Sequence, residues 1–73
     1  MGEYEKAVAE LEKASQLTPD DSTIAEHLAD GYSKLNQAQK ALSFYEKALT
    51  LEPKPDQAER LKNKIKEIKE KKK

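Results

Sequence analysis

Apolar residues return every three or four positions along most of the chain, and the phase breaks at short clusters of Pro, Asp and Asn. Leu28, Ala29 and Tyr32 fall at i, i+1 and i+4, one face of a helix. Ala41, Tyr45 and Ala48 fall at i, i+4 and i+7, the face of another. Asn36-Gln37 separates the two and Pro53 closes the second, so the stretch from Ala25 to Pro53 predicts a helical hairpin.

The same spacing extends in both directions. A first helix is predicted over Glu3–Leu17, with Tyr4, Ala7, Val8, Leu11 and Ala14 on one stripe. Thr18-Pro19-Asp20-Asp21-Ser22 then reads as a turn in which Asp20, Asp21 or Ser22 caps the next helix. The second helix, Ser22–Leu35, places Ile24, Ala25, Leu28, Ala29, Tyr32 and Leu35 on its apolar side. Glu26, His27, Asp30, Ser33 and Lys34 lie on the polar side. Gly31 inside it implies either a close helix approach or a tolerated weakness of about 1 kcal/mol against alanine.

The third helix, Gln37–Leu51, carries two apolar sides. Ala38, Ala41, Leu42, Tyr45 and Leu49 form one; Phe44, Ala48 and Leu51 form the other. Such a helix needs neighbours on both sides. The fourth, Asp56 to about Glu70, has a single narrow stripe of Ala58, Leu61, Ile65 and Ile68, and Asp56 with Glu59 suggests a capping box. One stripe suits the end of an array, where the other side meets water. Residues 71–73 are expected to fray as a basic tail.

With 73 residues the chain makes one all-α domain, 1–73, with a thin core. It has no cysteine, so no disulfide or thiolate metal site reinforces it. No apolar run approaches membrane-spanning length, and none has the form of a signal peptide. Lys6 stands where an N-myristoylation signal after Met1-Gly2 wants Ser or Thr. The expected location is the cytoplasm. The zero net charge hides an asymmetry: residues 1–53 sum to −5 and residues 54–73 to +5.

A shift of 34 residues superposes Ala7 on Ala41, Leu11 on Tyr45, Glu12-Lys13-Ala14 on Glu46-Lys47-Ala48, and Leu17 and Pro19 on Leu51 and Pro53. The first helix is thus an earlier copy of the third, and a period in this range implies stacked helical hairpins. On Leu28, Ala29, Tyr32, Ala41, Tyr45, Ala48 and Pro53 the chain resembles the tetratricopeptide repeat family. Ala25, where the family favours tryptophan, and Asn36, where glycine is usual, depart from its pattern. Asparagine keeps the turn, because it tolerates a left-handed backbone.

The resemblance implies a right-handed solenoid fragment of four antiparallel helices: the second helix of a partial repeat (3–17), a full repeat (22–55) and a capping helix (56–70). Its repeat core would be Ala7, Leu11, Ala14, Ala25, Leu28, Ala29, Tyr32, Ala41, Tyr45, Ala48 and Pro53. It further implies a protein-protein interaction module or scaffold that holds a peptide or helix of a partner in a concave groove. Carried over by position, the groove candidates are Thr23, Glu26, His27, Asp30, Ser33 and Lys34, with Gln57, Arg60 and Lys64 at a basic far end.

Glu26 and Asp30, like charges four apart, read first as a solvated helix side with Asp30 partly offset by Lys34; the alternative is a subsite for a partner's Lys or Arg. Some family members hold the C-terminal carboxylate of chaperones. Glu26 stands where the first lysine of that clamp would be and Asp30 where its asparagine would be, so both repel an acidic tail. Gln57, Arg60 and Lys64 would suit an acidic peptide end instead.

No nucleophile–base pair, phosphate loop or metal-ligand set is legible, so neither catalysis nor a cofactor is expected. Glu26, His27 and Asp30 alone make a poor metal site. Two other functions are weighed. One is a structural spacer that self-associates through the helix at 3–17. The other is an adaptor whose lysine-rich last helix meets nucleic acid or anionic lipid. That last helix has no aromatic residue on which bases would stack, and its apolar stripe is narrow for membrane insertion.

Overall fold

The computed structural model describes residues 2–71 as four helices: α1 (Gly2–Leu17), α2 (Ser22–Lys34), α3 (Ala38–Thr50) and α4 (Pro55–Lys71). No strand occurs among the described residues. Consecutive helices pack side by side in chain order, α1 on α2, α2 on α3 and α3 on α4. The third helix therefore has the two neighbours that its two apolar sides require.

The helix ends follow local chemistry. Asp21 caps α2: its Oδ1 accepts from the Thr23 N–H at 2.9 Å and the Ile24 N–H at 3.2 Å. The α2–α3 turn closes with two bonds of a Schellman motif, Gln37 N–H to Tyr32 O at 2.9 Å and Asn36 N–H to Ser33 O at 3.1 Å. That motif needs a left-handed residue, and Asn36 supplies it at φ 61°. A second left-handed residue, Glu52 at φ 57°, follows α3 and is not legible in the sequence.

The expected capping box at Asp56 is corrected. The ring of Pro55 presets a helical φ, so α4 begins one residue earlier, and Ala58 N–H already bonds Lys54 O at 2.8 Å. Asp56 instead lies in the first turn, where a carboxylate suits the helix dipole. Lys71 ends α4; the rest of the basic tail, Lys72 and Lys73, lies outside the described residues, as does the side chain of Lys71.

The core comprises Val8, Ala25, Leu28, Ala29, Tyr32, Ala41, Tyr45, Ala48 and Leu61. Small residues at 25, 29, 41 and 48 let the α2 and α3 backbones approach, while Leu28, Tyr32 and Tyr45 supply volume. Tyr32 stacks on Phe44 at 5.6 Å between ring centroids. Of the other repeat-core positions, Leu11, Ala14 and Pro53 are half-buried.

Ala7 corrects the expectation, because it is exposed. Its counterpart Ala41 is fully buried with helices on both sides, whereas α1 packs chiefly on α2. Tyr4 is half exposed for the same reason. Gly31 marks a close approach: a Cβ built there would meet Val8 Cγ2 at 2.5 Å.

The outer side of α4 is polar where α2 is buried. Ala25, Leu28, Ala29 and Tyr32 are core residues, and 34 positions later Glu59, Lys62, Asn63 and Lys66 are all exposed.

Candidate partner-binding site

The polar side of α2 faces the polar side of α4 across the 34-residue period. Glu26 is 2% exposed, the one buried charged residue among the described residues. A buried carboxylate is tolerated only when paired and hydrogen-bonded, and among the described residues α4 supplies the side-chain partners of Glu26. Arg60 binds it with both faces of its fork, Nε to Oε2 at 2.6 Å and Nη2 to Oε1 at 2.8 Å. Gln57 Nε2 donates to Oε1 at 3.0 Å and Lys64 Nζ to Oε2 at 3.1 Å. The Arg60 hydrogen bonds outweigh the opposing effect of burial, and with help from Gln57 and Lys64 they lower the Glu26 pKa to about 2.

Asp30, one turn on, accepts from Lys64 Nζ at 3.0 Å and from the Tyr45 hydroxyl of α3. Burial and then Asp30 raise the Tyr45 pKa, so that hydroxyl stays a donor. Burial opposes the charge on Lys64, but the hydrogen bonds to Asp30 and Glu26 win and raise its pKa. Lys64 also lies 5.6 Å above the Tyr45 ring. Gln57 extends the cluster toward the start of α2, accepting from the Ser22 hydroxyl at 3.3 Å and donating to Thr23 Oγ1 at 3.4 Å.

Beside this cluster, between the two helices, lies an open cleft of about 490 Å³. Asp30, Ser33 and Lys34 of α2 form one wall. Lys64, Glu67 and Ile68 of α4 form the other. Tyr45 and Ala38 of α3, with Asn36 of the turn, complete the lining.

The structure thus brings together eight of the nine groove candidates. Thr23, Glu26, Asp30, Gln57, Arg60 and Lys64 join one hydrogen-bonded cluster, and Ser33 and Lys34 line the cleft beside it. His27 is exposed and belongs to neither. Three expectations change. Glu26 does not lie on a solvated helix side, since it is buried against α4. The Glu26–Asp30 subsite is already filled by Arg60 and Lys64, so it is not an open receptor for a partner's cation. By the same pairing, Arg60 and Lys64 are not free for an acidic peptide end.

Asn36, Ala38, Tyr45, Glu67 and Ile68 were not among the candidates. A usable signal existed for two of them, because Glu67 and Ile68 follow Ser33 and Lys34 by the same 34 residues.

On the far side of α2, Tyr32 donates its hydroxyl to Glu12 of α1. Burial and then Glu12 raise the Tyr32 pKa to about 12. This bond ties α1 to the hairpin. No group of three or more His, Asp or Glu residues able to hold a metal gathers among the described residues, and none of the described helices is long and apolar enough to cross a membrane.

Searches of curated proteins and of solved structures return no match. A family model described as tetratricopeptide repeat matches residues 1–65, which span α1 to α3 and most of α4. The match covers most of the chain and agrees with the hairpin spacing and the buried Leu28, Ala29, Tyr32, Ala41, Tyr45 and Ala48. The chain belongs to the tetratricopeptide repeat family.

Proposed function

We propose that this chain is a protein-interaction module that holds a segment of a partner protein along the α2–α4 face. The observation that carries the reading is the cleft itself. Its walls come from two helices joined by an ionic cluster around the buried Glu26, and a third helix completes its lining. A preformed recess on rigid elements binds with little loss of conformational freedom. In this reading 3–17 is the second helix of a partial repeat and 22–55 a full one. Helix α4 is a cap, because polar residues replace the apolar ones that another layer would need. No residue is assigned a catalytic role.

The test is a selection of random decapeptides on the chain, followed by amide chemical-shift mapping of those recovered. Shifts centred on Ser33, Lys34, Glu67 and Ile68 are expected. Shifts confined to α1 would refute the assignment.

One observation favours a second reading, self-association through α1. Tyr4 is 50% exposed, Leu17 is 83% exposed, and Ala7 lies open between them. Sedimentation separates the two readings, since a dimer dissociated by Tyr4→Glu plus Leu17→Glu would establish the second.

A further inference from the structure

We infer that the open face of α1 docks on the outer face of α4 of a second copy, head to tail, with Glu10 of one copy against Lys66 of the next. The inference deepens the self-association reading above, on which it rests, by naming the surface that α1 meets.

The helices pack in chain order, so α1 and α4 stand at the two ends of the row. Tyr4, Ala7 and Glu10 are exposed on α1, and Lys62, Asn63 and Lys66 are exposed on α4. The 34-residue register says how these faces meet. Helix α1 is an earlier copy of α3, and α4 follows α2 by the same period. Laying α4 of one copy on α1 of another, as α2 lies on α3, repeats the hairpin contact between chains.

One pair tests that register. Tyr32 of α2 stacks on Phe44 of α3 with ring centroids 5.6 Å apart. The residue 34 positions after Tyr32 is Lys66, and the residue 34 positions before Phe44 is Glu10. An aromatic pair inside the chain thus becomes an ion pair between chains. Neither Glu10 nor Lys66 has an ion-pair partner among the described residues. Ala7 and Ala14 repeat Ala41 and Ala48, the small residues that let α3 approach α2.

Charge also favours this contact over α1 on α1. Helix α1 carries four Glu against two Lys, and α4 carries six bases against four acids. A symmetric α1 contact opposes like net charges, whereas α1 on α4 opposes unlike ones. The polar outer face of α4 refuses an apolar layer, but α1 presents a carboxylate where α3 has a phenylalanine. Exposed ion pairs contribute little each, so the association is weak and salt-sensitive. Being heterologous, it does not close at two copies.

Sedimentation equilibrium of the full chain, at concentrations up to about 2 mM and in about 50 and 500 mM NaCl, is the test. At low salt the mean mass should rise with concentration past that of a dimer. High salt should weaken the association about 10-fold. Lys66→Glu and Glu10→Lys, both at exposed positions, should each weaken it about 10-fold or more with unchanged circular dichroism melts. An equimolar mixture of the two variants sets opposite charges at every contact between unlike chains and should recover the parent's association. Failure to recover on mixing would overturn the inference. A dimer that stops at two copies and ignores Lys66→Glu would overturn it and leave self-association through α1 standing. A monomer at every concentration would overturn the self-association reading and the inference together.

Discussion

Val8 Cγ2 stands 2.5 Å from where a side chain on Gly31 would begin. Valine is short and stiff at χ1, so it has no flexible end to move aside. Gly31→Ala gains about 1 kcal/mol of helix propensity but overpacks the α1–α2 contact at roughly 1–3 kcal/mol. It should therefore lower stability in urea by up to about 2 kcal/mol. In a Val8→Ala background the same change should stabilise, and a substitution that stabilises in both backgrounds would refute the contact. The sequence offered two reasons for this glycine, and only the packing partner decides between them.

Backbone strain is similarly half legible. Asn36 announces its left-handed turn, whereas nothing about Glu52 does. Glu52→Gly should raise stability by about 0.5–1 kcal/mol, because a left-handed backbone penalises a Cβ. Asn36→Gly should gain less. Paired thermal melts check the order, and a larger gain at Asn36 would refute it.

Individual helices differ in how they are started, and the differences are measurable. The Asp21 carboxylate receives two N–H groups of α2, whereas Gln37 makes no side-chain cap to α3. Asp21→Ala should cost about 1 kcal/mol, and Gln37→Ala should be nearly neutral by the same denaturation assay. Equal losses would mean that capping is not what starts α2. Element type and order were legible because four stretches keep a helical period and each break carries Pro, Asp or Asn. Boundaries were legible to one residue, and the start of α4 shows what decides the remainder. Asp56 and Glu59 have the composition of a capping box, but the fixed φ of Pro55 acts first.

Across the whole molecule, one buried carboxylate joins the first half of the chain to the last helix. Periodicity assigns charged residues to water, so Glu26, Arg60 and Lys64 read as an open groove. Their 34-residue spacing, which would have paired Glu26 with Arg60 and Asp30 with Lys64, was visible but describes a contact between helices. The candidate site was thus legible as a set of residues but not as a set of occupied partners.

That pairing has a pH signature. Glu26 titrates near 2 in the folded chain against an ordinary value of 4.5, chiefly because Arg60 bonds its charged form. Its folded pKa is depressed, so its contribution is complete above about pH 4.5 and is lost as pH falls toward 2. The shift corresponds to about 3 kcal/mol by linkage. The other acids also titrate in this range, so the comparison is with Glu26→Gln. That variant should be less stable than the parent at pH 7, because Arg60 and Lys64 lose their buried partner. As pH falls from 5 to 2.5 the parent should lose roughly 2–3 kcal/mol more than the variant, so the two converge. Parallel urea midpoints across the window would show that Glu26 does not carry the attachment of α4. Convergence with an unchanged denaturant slope would show that it does, and that the cleft walls are set by an ion cluster of the chain's own making.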